Sequence, residues 1–220
     1  LPPKVVRQRS RPTQRRAKET REQILDAAAE LFGERGIAET STNRIATAAG
    51  VSIGTLYRYF PDRSVIVDAL LERMLTSAEE RFTTWMSGRP QDPIADLLPA
   101  IPQLTTEILE VFTDVLAGSA KLVSALISGV EFERSGIPAL EPRLRLLVKV
   151  LLIQVLGPGN DHKYDMMTFV LINTGFAAVL RASLPSVGSE ERHEAIAMTA
   201  EMISAWIHAQ VLATQPPAGA

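Results

Sequence analysis

No cysteine occurs among the 220 residues. Its absence excludes a disulfide framework and any thiolate metal site, and suits a reducing, cytoplasmic setting. The three histidines, His162, His193 and His208, have no i, i+4 partner among themselves, so the helical histidine metal motif is absent. No glycine-rich phosphate loop occurs, and no serine stands in a nucleophile setting. An enzyme therefore has no positive feature behind it, and no catalytic residue, metal or cofactor is expected. Uninterrupted apolar runs of membrane length are also missing. Residues 166–180 are uncharged but broken by Thr168, Asn173 and Thr174, and residues 144–156 carry Arg145 and Lys149. Both fall short of the ~18 apolar residues of a span, so buried helices and no membrane partner are expected. The opening LPPKVVRQRS has no apolar core of a secretory signal, and its first residue, Leu1, predicts a piece lacking its initiator. No strand alternation, internal repeat or heptad array is visible.

Net charge is only −2, which conceals an asymmetry. Residues 1–63 hold 12 Lys and Arg against 7 Asp and Glu, and the remainder reverses this, with 11 against 18. A basic front and an acidic back point to a local surface for a polyanion. Residues 1–18 contain seven basic side chains, Arg15 and Arg16 among them, and no acid. Pro2, Pro3 and Pro12 argue against an early helix. A flexible basic arm is expected over 1–18, able to reach a phosphate or a minor groove. A solvated tail is the plainer alternative.

The chain is organised around residues 41–63, STNRIATAAGVSIGTLYRYFPDR. Ser41 is an N-cap ahead of Ile45, Ala46 and Ala49, which share one helix face. Gly50 supplies a left-handed turn residue. Ser52 caps a second short helix carrying Leu56, Tyr57 and Phe60, and Pro61 stops it. Two such helices around a Gly-containing turn form a helix-turn-helix, whose second helix enters the DNA major groove. The preceding helix is expected over 17–35, with Ile24, Leu25, Ala28, Leu31 and Phe32 as its apolar stripe and Gly36 at its end.

At these residues the chain resembles the TetR family of bacterial transcription regulators. The resemblance rests on Ile45-Ala46, Ala49-Gly50-Val51-Ser52, Gly54-Thr55-Leu56-Tyr57, Tyr59-Phe60-Pro61 and Arg63, and extends over about a quarter of the chain, from Ile24 to near Leu75. It implies a homodimer that binds double-stranded operator DNA. A plain three-helix core would share the apolar periodicity but would not require Gly54 and Tyr57 on an exposed face.

Roles follow from side-chain chemistry. Ser41 and Thr42 lie at a helix start, where free N–H groups favour a phosphate. Gly54 costs ~1 kcal/mol in a helix relative to Ala, a cost that close approach to DNA would offset. Thr55 offers a hydroxyl and a methyl, and Tyr57 a phenol for a phosphate. Arg58 is the one side chain of the second helix able to grip guanine in a bidentate contact. Arg63 is placed to neutralise a phosphate. Ile53 stands where the family often has Lys, and Arg44 where it often has an acid. Ile53 is suited to a thymine methyl, and Arg44 to the phosphate contact thereby lost. Ser52 completes the expected DNA-contacting set.

The expected division is a basic arm over 1–18, a DNA-binding unit over 19–63, an all-α regulatory and dimerisation region over 64–214, and a frayed tail over 215–220. Helices are expected over 62–86, 94–118, 120–132, 143–156, about 162–183 and 189–212. Phe82, Trp85, Met86, Phe112, Met166 and Phe169 are candidates for an apolar ligand pocket, with ordinary core as the alternative. Phe176, Leu180, Ala200, Ile203, Trp206 and Ile207 are candidates for a dimer interface built from the last two helices. The expected function is a repressor released from its operator by a small apolar ligand that tilts the 62–86 helix from its far end. The rivals are a ligand-independent activator or architectural DNA-binding protein, and a small-molecule-binding helical protein without a DNA function.

Overall fold

A computed structural model describes residues 11–88, 99–128 and 137–214. Among the described residues there are nine helices and no strand. They are α1 (Arg11–Arg35), α2 (Thr42–Ala48), α3 (Ile53–Tyr59), α4 (Arg63–Ser87), α5 (Ile101–Ala117), α6 (Ala120–Ser128), α7 (Ile137–Leu156), α8 (Asp161–Ala182) and α9 (Ser189–Thr214).

The amino-terminal elements start and stop where their chemistry dictates. Gly36 and Gly50 take φ of 82° and 66°, the left-handed turns that L side chains resist. The side chains of Ser41, Ser52 and Asp62 accept from the backbone N–H groups of Arg44, Thr55 and Val65, capping α2, α3 and α4. Phe60, ahead of Pro61, is extended and closes α3. One expectation fails here: α1 begins at Arg11, not near 17. Pro12 falls on the second residue of the helix, where a missing N–H breaks no bond. Of the arm expected over 1–18, residues 11–18 are thus helical, and residues 1–10 lie outside the described residues.

Two later prolines also fall within helices. Pro102 sits in the first turn of α5, which opens at Ile101 within the segment 94–118 expected to be helical. The residues expected to begin it, 94–98, lie outside the described residues, as do 129–132 of the segment continued by α6. Residues 137–142 were expected to separate two helices, yet α7 runs through Pro142, accepting the loss of one backbone hydrogen bond.

Three cores hold the bundle. In the first, Ile24, Leu25 and Phe32 of α1 pack with Ile45, Leu56 and Phe60, all 0–2% exposed. Ile66 and Leu70 from the start of α4 and Leu122 of α6 close it. The α6 backbone passes so near α1 that a β-carbon on Gly33 would stand 2.7 Å from the Lys121 Cβ. A second core joins Leu109 of α5, Val179 and Ala182 of α8, and Ile196, Ala200 and Ile203 of α9. The third joins Leu152, Tyr164 and Met167, with Trp206 packed against it. The turn into α8 is pinned by the Tyr164 hydroxyl donating to the Gly157 carbonyl at 2.7 Å and by Lys149 bridging Asp161 and Asp165 at 2.7 and 2.6 Å.

By length and composition, the helices over Asp161–Ala182 and Ser189–Ala213 are each sufficient to cross a membrane. This corrects the reading from uninterrupted runs: a helical window tolerates the charges and hydroxyls that break a run. Each buries one face within the bundle and leaves another exposed.

Candidate functional site

Two places stand out: the outer face of α2 and α3, and a cavity between α4 to α8.

On the first, Ser41, Arg44, Ser52, Ile53, Gly54, Tyr57 and Arg58 are exposed, and Thr42, Thr55 and Arg63 half-buried. The inward side chains Ile45 and Leu56 anchor both helices, so the outward ones ride on a fixed base. The Thr42 hydroxyl and the Tyr57 phenol lie 3.1 Å apart and bridge the two helices. The Ser52 and Thr55 hydroxyls pair at 2.8 Å. The Arg58 guanidinium lies 5.4 Å from the centre of the Tyr59 ring, leaning along the helix. Nothing in the chain requires glycine at 54: a β-carbon there would meet only the Ser52 Oγ, at 3.9 Å, with ordinary negative φ. The helix-weakening residue is therefore unexplained by internal packing.

Two of the expected phosphate-binding arginines are engaged otherwise. Arg63 donates to the carbonyls of Ala38 and Thr40 at 2.8 and 3.3 Å, and Arg44 to that of Glu39 at 3.2 Å. Both stitch the loop before α2 to the helices behind it. A carbonyl-rich turn attracts guanidinium groups as readily as a phosphate does, and sequence spacing does not separate the two. Sequence reasoning missed Thr40, which is fully buried and donates to the carbonyls of Gly36 and Leu31 at 2.8 and 3.3 Å, closing the same loop. Arg15 and Arg16 lie exposed on the first turns of α1, Arg15 paired with Glu19 at 2.9 Å. An exposed pair of that kind contributes ~0–1 kcal/mol and leaves Arg15 free to change partner.

The second place is a cavity of about 180 Å³. Its wall is built from Leu, Ile, Val, Met, Ala, Phe and Gly alone, on α4, α5, α6, α7 and α8. Of the six residues expected to line a pocket, only Phe112 does. Met86, Met166 and Phe169 are on the surface, 40%, 48% and 48% exposed. Phe82 is buried outside the wall, stacked on Phe112 with ring centres 6.4 Å apart. Trp85 lies beyond it, its indole N–H donating to Glu107 at 2.8 Å. Aromatic and Met content marks apolar surface but does not tell inside from outside.

The dimer candidates are buried or half-buried within the single chain. Phe176 and Leu180 line the cavity, and Ala200 and Ile203 are 1% and 7% exposed within one chain's core. Ile207 packs on that core and Trp206 on the third. The exposed apolar rows lie elsewhere: Met166, Phe169 and Val170, continued by Asn173 and Ala177, on α8, and Met198, Met202 and Leu212 on α9. Both helices are apolar nearly all round, so their periodicity does not choose a face. Among the described residues no cluster of three potential metal ligands exists.

Comparison with known proteins bears on the first place most strongly. Residues 24–70 match the model of the tetR family of bacterial regulatory proteins. The chain is 36% identical over 88 residues to the HTH-type transcriptional regulator AcrR of Shigella flexneri, covering 40% of this chain and 41% of that protein. It is 31% identical over 135 residues to the nucleoid occlusion factor SlmA of Actinobacillus pleuropneumoniae, covering 54% and 65%. The matches thus span about half the length of these relatives. Among solved structures, a tetR-family transcriptional regulator from Streptomyces coelicolor shares the fold over 92% of both chains, with a TM-score of 0.65 at 22% identity. Thermus thermophilus FadR, a TetR-family repressor in complex with lauroyl-CoA, does so over 91% of this chain and 99% of that one, with a TM-score of 0.54 at 24% identity.

Proposed function

From a chain that belongs to the TetR family of bacterial regulatory proteins, we propose a homodimeric, cytoplasmic repressor that binds operator DNA through α3 and is released by a small apolar ligand in the cavity. The observation that carries the DNA reading is Gly54. Glycine near the start of an exposed helix weakens it, and no neighbour in the chain would collide with a side chain there. An approaching backbone is the remaining reason for it. In this reading Thr42 and Tyr57 hold a phosphate, Thr55 and Ile53 meet bases or sugars, and Arg58 swings from the Tyr59 ring to a guanine edge. Ser41 and Ser52 stand at the helix starts, where anions are favoured. Arg15 and Arg16 add phosphate contacts from α1. Arg44 and Arg63 act chiefly by holding the loop that fixes α2.

The test is the sign of two effects in one variant. Gly54→Ala should stabilise the fold by ~0.4–1 kcal/mol while weakening binding to a duplex chosen by selection from a random library. Raised stability with unchanged affinity would sink the DNA reading.

Dimerisation is assigned to the exposed rows of α8 and α9. A second copy covering Met166, Phe169, Val170, Met198, Met202 and Leu212 gives a four-helix interface, and lipid is not needed to cover them. Release follows from the cavity's position. Leu71 and Met74 of α4 line the cavity and also pack on the DNA-binding core. On α6, Val123 lines the cavity while its neighbour Leu122 is in that core. An occupant therefore bears on the middle of α4 and on α6, rather than on the far end of α4. Shifting them changes the spacing of two recognition helices, whose half-sites stand ~34–36 Å apart or at multiples of that. The coupling expected is ~1–3 kcal/mol, equal for ligand on DNA and DNA on ligand.

A further inference from the structure

α4 is held in two different ways along its length. Ile66, Val67 and Leu70 are locked into the filled core with α1, whereas Leu75 and Ala78, further on, line the cavity. Leu71 and Met74, between them, do both. Arg73 stands at that changeover and reaches across to α1. One nitrogen of its guanidinium donates to the Asp26 carboxylate at 2.5 Å and to that of Glu22, one turn earlier, at 3.4 Å. Glu22 accepts Arg73 on one oxygen and Arg21 on the other, the second at 3.2 Å. The Arg21 guanidinium in turn lies 5.5 Å from the centre of the Phe60 ring. Phe60 is buried and closes α3. A chain of charged contacts thus runs from the changeover in α4, over α1, to the end of the helix proposed to enter DNA.

These contacts stabilise little but position sharply. The four charged side chains are 36–71% exposed, so their pairing adds little to the fold. Their geometry is demanding all the same. A guanidinium held between carboxylates on successive turns of α1 fixes both the height and the rotation of α4 against it. The apolar contacts of Leu71 and Met74 are non-directional and tolerate a small slide that this arrangement does not.

We propose that Arg73, Asp26, Glu22 and Arg21 form an ionic latch that sets the angle of α3 to the rest of the chain. Arg73 is then a positioning residue for operator binding rather than a DNA contact. This rests on the reading of α3 as the recognition helix. An occupant of the cavity that displaces Leu71 and Met74 carries Arg73 with them and strains the latch. The state of the cavity is thereby passed to α1 and to the end of α3.

Charge reversal separates a latch from a DNA contact by sign. Asp26→Arg adds two positive charges to the DNA-binding unit. If charge alone mattered, affinity for the duplex selected from a random library would rise. The latch requires the opposite: position 26 now repels Arg73, and affinity should fall ~10-fold. Arg73→Glu should lower it at least as much. The two reversals together keep the net charge of the natural chain and restore the attraction. That double variant should bind at least ~5-fold more tightly than Arg73→Glu alone. Melting temperatures should stay close to that of the natural chain, because the pairs are exposed. An Asp26→Arg variant that binds as tightly as the natural chain overturns the latch, as does a double variant no better than Arg73→Glu. Should a reversal unfold the chain, Arg73→Gln makes the test without repulsion, and unchanged affinity overturns the latch. Failure of the natural chain to bind any selected duplex overturns the operator reading and the latch with it. Equal binding by the natural chain and these variants overturns the latch alone.

Discussion

The two halves of the molecule use helices in opposite ways. In the amino-terminal unit, short helices with one apolar face surround a filled core, and every turn has a named cause: Gly36, Gly50, Ser41, Ser52, Asp62 and Pro61. In the carboxy-terminal half, long helices apolar on several faces enclose a cavity and expose further apolar rows. The first arrangement defines a rigid surface. The second leaves apolar surface uncovered inside and outside, which the proposed ligand and second copy would cover. Rigidity suits reading a fixed polymer, and spare apolar surface suits a switch.

That contrast is sharpest in stability. Phe32→Ala, in the filled core, should cost ~3–5 kcal/mol. Phe176→Ala, in the cavity wall, should cost clearly less, because one side of that ring already lacks neighbours. Denaturant melts of the two variants measure the difference. Equal losses would mean that the cavity is closed in solution.

The next largest effect concerns the outer rows. Phe169→Glu should convert the proposed dimer to a monomer in sedimentation, with the helix content kept and operator affinity reduced, since two half-sites need two copies. Ile203→Glu, aimed at a buried position, should instead unfold the chain. A Phe169→Glu variant that stays dimeric removes this face from the interface.

The same contrast explains what was legible beforehand. Ile45, Leu56 and Phe60 face inward because polar residues separate them, and a 3.6-residue period then has one solution. The α2–α3 surface followed directly. On α8, Phe169, Phe176 and Leu180 are chemically alike, yet the first is exposed and the others line the cavity. Only the packing of neighbouring helices separates them, and that is non-local. Pro12 and Pro142 misled for local reasons: Pro12 lies in the first turn of α1, where no bond is lost, and α7 absorbs the one bond that Pro142 removes. Arg63 misled because a loop carbonyl and a phosphate oxygen attract a guanidinium alike.

Within the proposed DNA-binding face, Arg58 and Arg63 separate surface from scaffold. Arg58→Ala should cost ~1–3 kcal/mol on the selected operator and relax preference at one base position. Arg63→Ala should lower the melting temperature through the loss of its bonds to Ala38 and Thr40, with little change in the salt dependence of binding. If Arg63→Ala instead flattens the salt slope by about one unit without a change in melting, it is a phosphate contact after all.

The smallest effect is in acid, and it again divides the halves. The Asp62 carboxyl is held below its ordinary value of 3.8, first by the Ser64 hydroxyl and then by the Val65 N–H it caps. The Asp165 carboxyl is held below the same value by the Lys149 ammonium before all else. A depressed carboxyl stabilises the fold above its unfolded value and ceases to as pH falls through the lower folded one. Both contributions are therefore present above about pH 4 and lost below it. Each group is on the surface, so each shift in melting temperature is small. Salt tells them apart. Asp165 answers to an ion pair that screening weakens, whereas Asp62 answers to short hydrogen bonds that it does not. Asp62→Asn keeps a capping oxygen but not the charge, and should flatten the acid dependence at low and at high salt. Asp165→Asn should flatten it at low salt only. Melting curves of both variants between pH 3 and 7, at low and high salt, decide the matter: a salt-independent Asp165 effect would show that this turn is held by packing around Tyr164 rather than by charge.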